Sequence, residues 1–111
     1  MASTLETEEH ELPAVQPVAG LQQVLAALAD PVRLEMVRRL AESREPMACA
    51  NLYEGINKST ASHHFKILLE AGIVGERAQG TSKFLHLRRV ELDERFPGLL
   101  DSVLRATAAA A

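Results

Sequence analysis

Apolar residues recur at helical spacing through the first part of the chain. The first stripe, at positions i, i+3, i+4 and i+7, consists of Leu21, Val24, Leu25 and Leu28. This period predicts an amphipathic helix. Asp30 and Pro31 then form an N-cap and first-turn proline pair, which predicts that a second helix begins there. A third, short helix is predicted over residues 47–56, with Leu52 and Ile56 on one side.

The fourth predicted helix carries two contrasting faces. Asn57 is a suitable N-cap, residues 58–71 form the helix, and Gly72 is suited to the position after its end. Its apolar face consists of Ala61, Phe65, Leu68 and Leu69, and its polar face of Ser59, Ser62, His63 and Lys66. His64 turns toward the apolar side, where we expect a packed, hydrogen-bonded histidine.

Beyond this helix the pattern changes to that of strands. Residues 73–74 and 84–88 are predicted as two short strands, joined by a polar, glycine-bearing tip at residues 78–82. After a break at residues 97–98, a last helix carries Leu99, Leu100, Val103 and Leu104. A short helix, a tight turn and a helix with a polar face form a helix-turn-helix, and the hairpin adds a wing. The pattern therefore predicts a mostly α (α+β) winged helix-turn-helix fold, with four helices, a two-stranded β wing and a C-terminal helix.

Charge is distributed in a way that suits a nucleic-acid partner, although the formal net charge is −3. Residues 1–19 hold four glutamates and no lysine or arginine, so the rest of the chain has 12 basic and 11 acidic residues. Within residues 58–89 the basic residues are Lys58, Lys66, Arg77, Lys83, Arg88 and Arg89, against Glu70 and Glu76. Because local charge is what meets phosphates, this window favours binding to double-stranded DNA.

Length and composition limit the other choices. The 111 residues have room for one domain, assigned to residues 20–106, between a flexible acidic arm at 1–19 and an Ala-rich tail at 107–111. A single cysteine, Cys49, suits a reducing compartment, and the apolar runs are too short to span a bilayer. We therefore expect a cytoplasmic protein without a membrane partner. No phosphate-cradling glycine loop or Cys/His cluster is present, so neither an enzyme nor a cofactor is predicted.

Two segments stand out, LADPVRL at residues 28–34 and SHHFKILLEAGIV at residues 62–74. Both resemble the ArsR family of bacterial winged helix-turn-helix transcription repressors. The family has a LADPTRL-like opening and an SxHLxxLxxAGLV-like recognition helix at a similar separation, and the resemblance covers about residues 21–105. It implies a homodimer that represses transcription by occupying a palindromic operator.

The resemblance also assigns roles to individual residues. It implies a dimer interface between the first and last helices, through Leu21, Val24, Leu25, Leu28, Leu99, Leu100, Val103 and Leu104. It places Ser59, Thr60, Ser62, His63 and Lys66 in the major groove, and Gly80, Thr81, Ser82 and Lys83 on the neighbouring backbone or minor groove. Lys58 begins the recognition helix and Arg77 flanks the wing tip, so we add both to the predicted DNA-binding set.

One segment departs from the family pattern. Many members bind metals through two cysteines in an ELCVCDL-like third helix, but residues 46–52 read PMACANL, with Ala48 and Ala50 at the expected cysteine positions. Other members use ligands in the last helix, and no histidine follows His86. This departure predicts a metal-independent repressor with no metal ligands. Release from DNA would require an effector, and the sequence leaves open whether that is an unknown small-molecule effector, a reactive species or no effector at all.

Two alternatives stay open at this stage. The acidic arm favours a winged-helix protein-interaction module that does not read DNA. Cys49 could instead make the chain a thiol- or redox-responsive repressor. A buried structural cysteine is the more common case, and the chain has no second cysteine with which to form a disulfide.

Overall fold

The computed structural model describes residues 16–110, with side chains as far as residue 108. Within this range the elements are α1 (Leu21–Leu28), α2 (Pro31–Ser43), β1 (Met47–Ala48), a 3-10 turn (Cys49–Asn51), α3 (Lys58–Glu70), β2 (Val74–Gln79), β3 (Ser82–Leu87), α4 (Arg89–Arg95) and α5 (Leu99–Ala110). The predicted mostly α fold with a β wing is confirmed. None of these helices combines the length and apolarity that crossing a bilayer would need.

Two helices begin at the capping residues that the sequence predicts. The Asp30 carboxylate accepts hydrogen bonds from the backbone N–H groups of Val32 and Arg33, at 2.7 and 3.1 Å. The Asn57 side-chain oxygen accepts one from the N–H of Thr60 at 2.8 Å. Each cap pairs N–H groups that have no partner inside the helix, and so fixes where the first turn of α2 or α3 begins.

The prediction of a helix over residues 47–56 is wrong. Met47 and Ala48 form β1, which pairs antiparallel with β3, and only a 3-10 turn follows. The backbone then passes through Gly55 at φ +82°, outside the helical region. Because β1 adds a strand, the sheet has three strands in the order β1-β3-β2 instead of the predicted two.

The wing is longer than the predicted strands. β2 and β3 pair from Val74 opposite Leu87 to Gln79 opposite Ser82, which leaves Gly80 and Thr81 as the turn. Gly80 has φ +63°, as a type II′ hairpin requires of its first turn residue. The short helix α4 after the wing is a further element that the pattern did not predict.

The core fills the space between the helices and the inner face of the sheet. Its largest fully buried side chains are Val24, Met36, Val37, Leu40, Leu52, Leu68, Ile73, Val74 and Leu85. Three residues assigned by resemblance to the dimer interface, Val24, Leu28 and Leu100, are only 1%, 6% and 4% exposed. These three side chains pack inside their own chain, and the dimer interface stays a prediction. Leu21 and Leu25 remain outside, at 47% and 42% exposure.

The first described residues are hydrogen-bonded to the domain, and the last ones continue its final helix. The Ala19 N–H donates to the Ala71 carbonyl at 3.0 Å, and the Arg88 guanidinium donates to the Gln16 carbonyl at 2.5 Å. Residues 16–19 thus pack against the turn after α3, and residues 1–15 of the predicted acidic arm lie outside the described range. At the other end, α5 continues through Ala110, past the predicted domain end at residue 106.

Candidate nucleic-acid interface

Helix α3 presents its polar face to solvent along its first two and a half turns. Its buried side consists of Ala61, His64, Phe65 and Leu68. The six predicted DNA-binding residues of this helix are all exposed: Lys58, Ser59, Thr60, Ser62, His63 and Lys66. The helix therefore offers a continuous row of hydroxyl, imidazole and ammonium groups, which can donate hydrogen bonds to phosphates or base edges.

The wing separates the predicted residues onto two faces. Ala78 lies opposite Lys83 and Glu76 opposite Leu85, so these four side chains share one face of the hairpin. Leu85 is fully buried, which identifies this face as the one that turns toward the core and α3. Arg77 points to the opposite face. The structure thus places Arg77 and Lys83 on opposite faces of the wing.

A groove of about 630 Å³ lies between α3 and the wing. We call it the α3–wing groove; it is lined by Ala48, Cys49, Ala50, Tyr53, Lys58, Ser62, Phe65, Lys66, Leu69, Glu76, Thr81, Ser82 and Lys83. Six of the predicted DNA-binding residues meet there, and they include all three lysines of the chain. Ser59, Thr60, His63, Arg77 and Gly80 are exposed but do not line it.

The floor of this groove was missed by the sequence analysis. Tyr53 and Phe65 are in edge-to-face contact, with ring centroids 6.0 Å apart. Leu69 and Cys49 continue this apolar surface, and both are half-buried. The sequence assigns Phe65 and Leu69 to the core-facing side of α3. It gives no signal that the loop after β1 leaves Leu69 only half-buried.

The groove carries net positive charge. Its one carboxylate, Glu76, lies 3.6 Å from the Lys83 ammonium, and the Lys83 side chain is 66% exposed. Lys58 and Lys66 are exposed on α3. Among the described residues, therefore, two of the three ammonium groups have no carboxylate beside them within the groove.

His64 confirms the packing predicted for it. It is 9% exposed, and its Nδ1 lies 3.1 Å from Nη1 of Arg33 on α2. A guanidinium can only donate, so Nδ1 accepts this hydrogen bond. Arg33 also donates through Nε to the Ala27 carbonyl at 2.7 Å and through Nη2 to the Ala26 carbonyl at 3.4 Å. One side chain thus joins the end of α1 to α3.

Cys49 is poorly suited to thiolate chemistry. Burial raises the pKa of its thiol, and the Glu76 carboxylate raises it further, while Lys83 acts in the opposite direction. A neutral thiol is a weak nucleophile and behaves as a small apolar side chain. Within residues 16–110 no group of three or more His, Cys, Asp or Glu side chains is arranged to hold a metal ion.

Known proteins of similar sequence are transcription regulators. A helix-turn-helix domain family matches residues 28–77. The chain is 36% identical over 83 residues to the uncharacterized HTH-type transcriptional regulator YceK of Bacillus subtilis (strain 168), covering 73% of this chain and 83% of YceK. It is 33% identical over 85 residues to the arsenical resistance operon repressor of the same organism, covering 75% and 76% of the two chains.

Solved structures of similar fold include two bacterial proteins. The transcriptional repressor BigR from Xylella fastidiosa is 28% identical, with a TM-score of 0.55 over 68% of this chain and 85% of BigR. The homodimeric winged helix-turn-helix DNA-binding domain of Mb0332 from Mycobacterium bovis is 24% identical, with a TM-score of 0.58 over 100% of this chain and 96% of that domain. At that identity the second likeness concerns the fold alone.

Proposed function

The chain belongs to the ArsR family of winged helix-turn-helix transcription regulators, and we propose that it is a homodimeric repressor that occupies a palindromic operator in double-stranded DNA without a metal ion. As a member of this family it is a DNA-binding transcription regulator and not an enzyme. What we propose beyond family membership is repression, a twofold-symmetric dimer and operator, metal independence, and the identity of the residues that read DNA. Because its partner is the genome, we infer that it works in the cytoplasm.

The single observation that carries the proposal is the convergence of α3 and the wing on the α3–wing groove. In our proposal the exposed residues Lys58, Ser59, Thr60, Ser62, His63 and Lys66 enter the major groove, where base edges carry sequence information. Gly80, Thr81, Ser82 and Lys83 follow the adjacent backbone, and Arg77 contacts phosphate from the outer face of the wing. Lysines contribute affinity by releasing counterions, and hydroxyl and imidazole groups contribute selectivity.

The dimer is proposed to form through α1 and α5. Leu21 and Leu25 are two of the large apolar side chains that the domain leaves exposed, and Leu99, Val103 and Leu104 of α5 are only half-buried. The similar Mb0332 domain is described as homodimeric. A twofold dimer engages two half-sites related by the same symmetry, and this is the physical reason to expect a palindrome.

Metal independence is proposed from two residues in β1 and the turn that follows it. Ala48 and Ala50 stand where the family pattern has cysteines, and an alanine offers no donor atom to a soft metal ion. Stoichiometric Zn²⁺ should therefore neither be required for operator binding nor abolish it. Tight Zn²⁺ binding that releases the operator would contradict this part of the proposal.

The test is to select duplexes from a random library with the purified protein, and then to titrate variants against the selected and a scrambled duplex. We expect a palindromic consensus. Ser62→Ala combined with His63→Ala should weaken selected binding about tenfold or more and scrambled binding much less, since each base contact contributes about 1–3 kcal/mol. Lys83→Ala should weaken both alike and reduce the salt slope by roughly one counterion per protomer.

Arg105→Gln supplies the matched control for charge. Arg105 lies on α5 and its side chain is 81% exposed, so its loss changes the net charge without changing α3 or the wing. The affinity of the Arg105→Gln variant for both duplexes should stay within about twofold of that of the wild type. The ratio of selected to scrambled affinity decides which element reads the sequence. If the Ser62→Ala/His63→Ala variant keeps this ratio and Lys83→Ala loses it, the wing and not α3 reads the sequence. Selection that yields no consensus would favour the protein-interaction alternative.

A further inference from the structure

The α3–wing groove has a feature that DNA binding does not require. Its floor is formed by the Tyr53 and Phe65 rings together with the half-buried Leu69. Phosphates and base edges are recognised mainly through charge and hydrogen bonds, to which an apolar floor contributes little. An apolar floor with a few convergent polar groups, in a space of 300–1,000 Å³, is the usual form of a small-molecule site. The groove, at about 630 Å³, lies within this range.

The rim of the groove favours a ligand with negative charge. Lys58, Lys66 and Lys83 all line it, whereas none of the nine arginines of the chain does so. The one carboxylate present, Glu76, is paired with Lys83 at 3.6 Å. At the floor the Cys49 thiol is kept neutral by burial, which raises its pKa, so it adds apolar surface and no negative charge. The groove therefore combines an apolar base with an uncompensated cationic edge.

We propose that the α3–wing groove binds a small organic anion with a flat apolar body, such as an aromatic carboxylate, and that this ligand releases DNA by direct competition. The apolar body would lie on Tyr53 and Leu69, and the carboxylate would accept hydrogen bonds from the Lys66 or Lys83 ammonium. The same ammonium groups are the ones proposed to meet phosphates, so the ligand and DNA exclude each other without any change of fold. Competition with DNA rests on the proposed function, whereas ligand binding to the free protein does not.

The first experiment measures binding to the free full-length protein. The probe is 2-naphthoate, with 2-naphthamide as a neutral analogue of the same shape and inorganic phosphate as charge without an apolar body. Tyr53 is the only tyrosine and the chain has no tryptophan, so the ring signals of Tyr53 in NMR spectra report on the groove without ambiguity. We expect these signals to shift on addition of 2-naphthoate, and its affinity in calorimetry to be at least tenfold higher than that of either comparison compound.

Variants then separate the groove from general surface charge. Lys66→Gln should weaken 2-naphthoate binding at least fivefold, whereas Arg77→Gln, which removes the same charge from the opposite face of the wing, should change it less than twofold. Tyr53→Ala removes part of the floor and should weaken the probe at least fivefold while duplex affinity stays within twofold. Ala50→Phe is a second variant that fills the groove from an exposed position, and it tests the same point should Tyr53→Ala fail to fold.

The last measurement is displacement of a fluorescent 30-base-pair duplex of random sequence at low salt. We expect 2-naphthoate to displace it and 2-naphthamide not to do so. Equal affinity for the naphthoate and the naphthamide, unshifted Tyr53 signals, or equal losses in Lys66→Gln and Arg77→Gln would overturn the site. Binding to the groove without displacement would overturn the competition. A protein that binds the probe but no duplex would refute the proposed function and leave the site standing.

Discussion

Removing the guanidinium of Arg33 should destabilise the domain far more than removing the guanidinium of Arg38, which lies on the same helix. Arg33 makes two short hydrogen bonds, to the Ala27 carbonyl at 2.7 Å and to His64 Nδ1 at 3.1 Å, and a longer one at 3.4 Å. A hydrogen bond to a charged group contributes about 1.5–3 kcal/mol. Since Arg33 is only partly buried, we take the lower value for the two short bonds. Arg33→Met, which keeps the aliphatic stem, should therefore lower the free energy of unfolding by about 3 kcal/mol.

Arg38→Met is the matched control on the same helix. Arg38 binds Glu35 through two hydrogen bonds of 2.8 and 2.9 Å, and this pair raises the pKa of Arg38. The two side chains are nevertheless 38% and 41% exposed, and exposed ion pairs contribute about 0–1 kcal/mol because water and salt screen them. We therefore expect a loss of at most about 1 kcal/mol from this variant.

The assay is urea denaturation followed by circular dichroism, at one protein concentration for all variants because the unfolding of a dimer depends on concentration. His64→Leu should lose about 1.5 kcal/mol, since it removes one acceptor. The double variant with Arg33→Met should reveal a coupling of roughly 1 kcal/mol between the two residues. A loss from Arg33→Met no larger than that from Arg38→Met would refute the view that Arg33 joins α1 to α3.

Further perturbations test the surface and the turns. Leu25→Glu should convert a dimer to a species of 12.1 kDa in sedimentation, whereas Val90→Glu, at a position that is 68% exposed on α4, should leave the dimer intact. Gly72→Ala should cost about 2–4 kcal/mol in denaturation, because φ is +76° and a Cβ would lie 2.6 Å from backbone atoms; Gly55→Ala, with φ +82° and open space, should cost only about 1 kcal/mol. The pKa of Glu35 is lowered from 4.5 to about 2 by hydrogen bonds from two arginines, so its contribution is present above pH 4.5 and is lost as the pH falls toward 2. The check is denaturant unfolding measured at several pH values in this interval. The free energy of unfolding of the wild type should fall by up to about 1 kcal/mol more than that of Glu35→Gln.

Local signals in the sequence were sufficient where a side chain fixes its own neighbourhood. Asp30 and Asn57 predicted the starts of α2 and α3 because each cap bonds N–H groups two or three residues away. The polar face of α3 was predicted for the same reason, since helical period alone determines which residues share a side. Gly72, with φ +76°, closes α3 as its residue type suggested.

Features that depend on distant partners could not be predicted in this way. Leu52 and Ile56 have helical spacing, yet the segment before them is a strand because Met47 and Ala48 pair with residues of β3 nearly 40 positions later. Helix α4 has one buried residue, Leu92, and its Val90 is exposed, so it shows no apolar period. The groove floor was missed for a related reason. Leu69 belongs to the apolar side of α3 and is only half-buried, and the path of the chain around it determines how much of that side is covered.

Helix α1 connects the proposed dimer contact to the proposed reading helix. Its eight residues divide between the core, through Val24 and Leu28, and the surface, through Leu21 and Leu25. The carbonyl groups at its end are held by Arg33, which in turn binds the buried His64 on α3. His63, the next residue, is exposed on the polar face of α3. A shift of α1 at the dimer contact would therefore act on α3 through one guanidinium and two short hydrogen bonds. Since both half-sites must be engaged together, the distance between the two α3 helices is the quantity that this connection would keep constant.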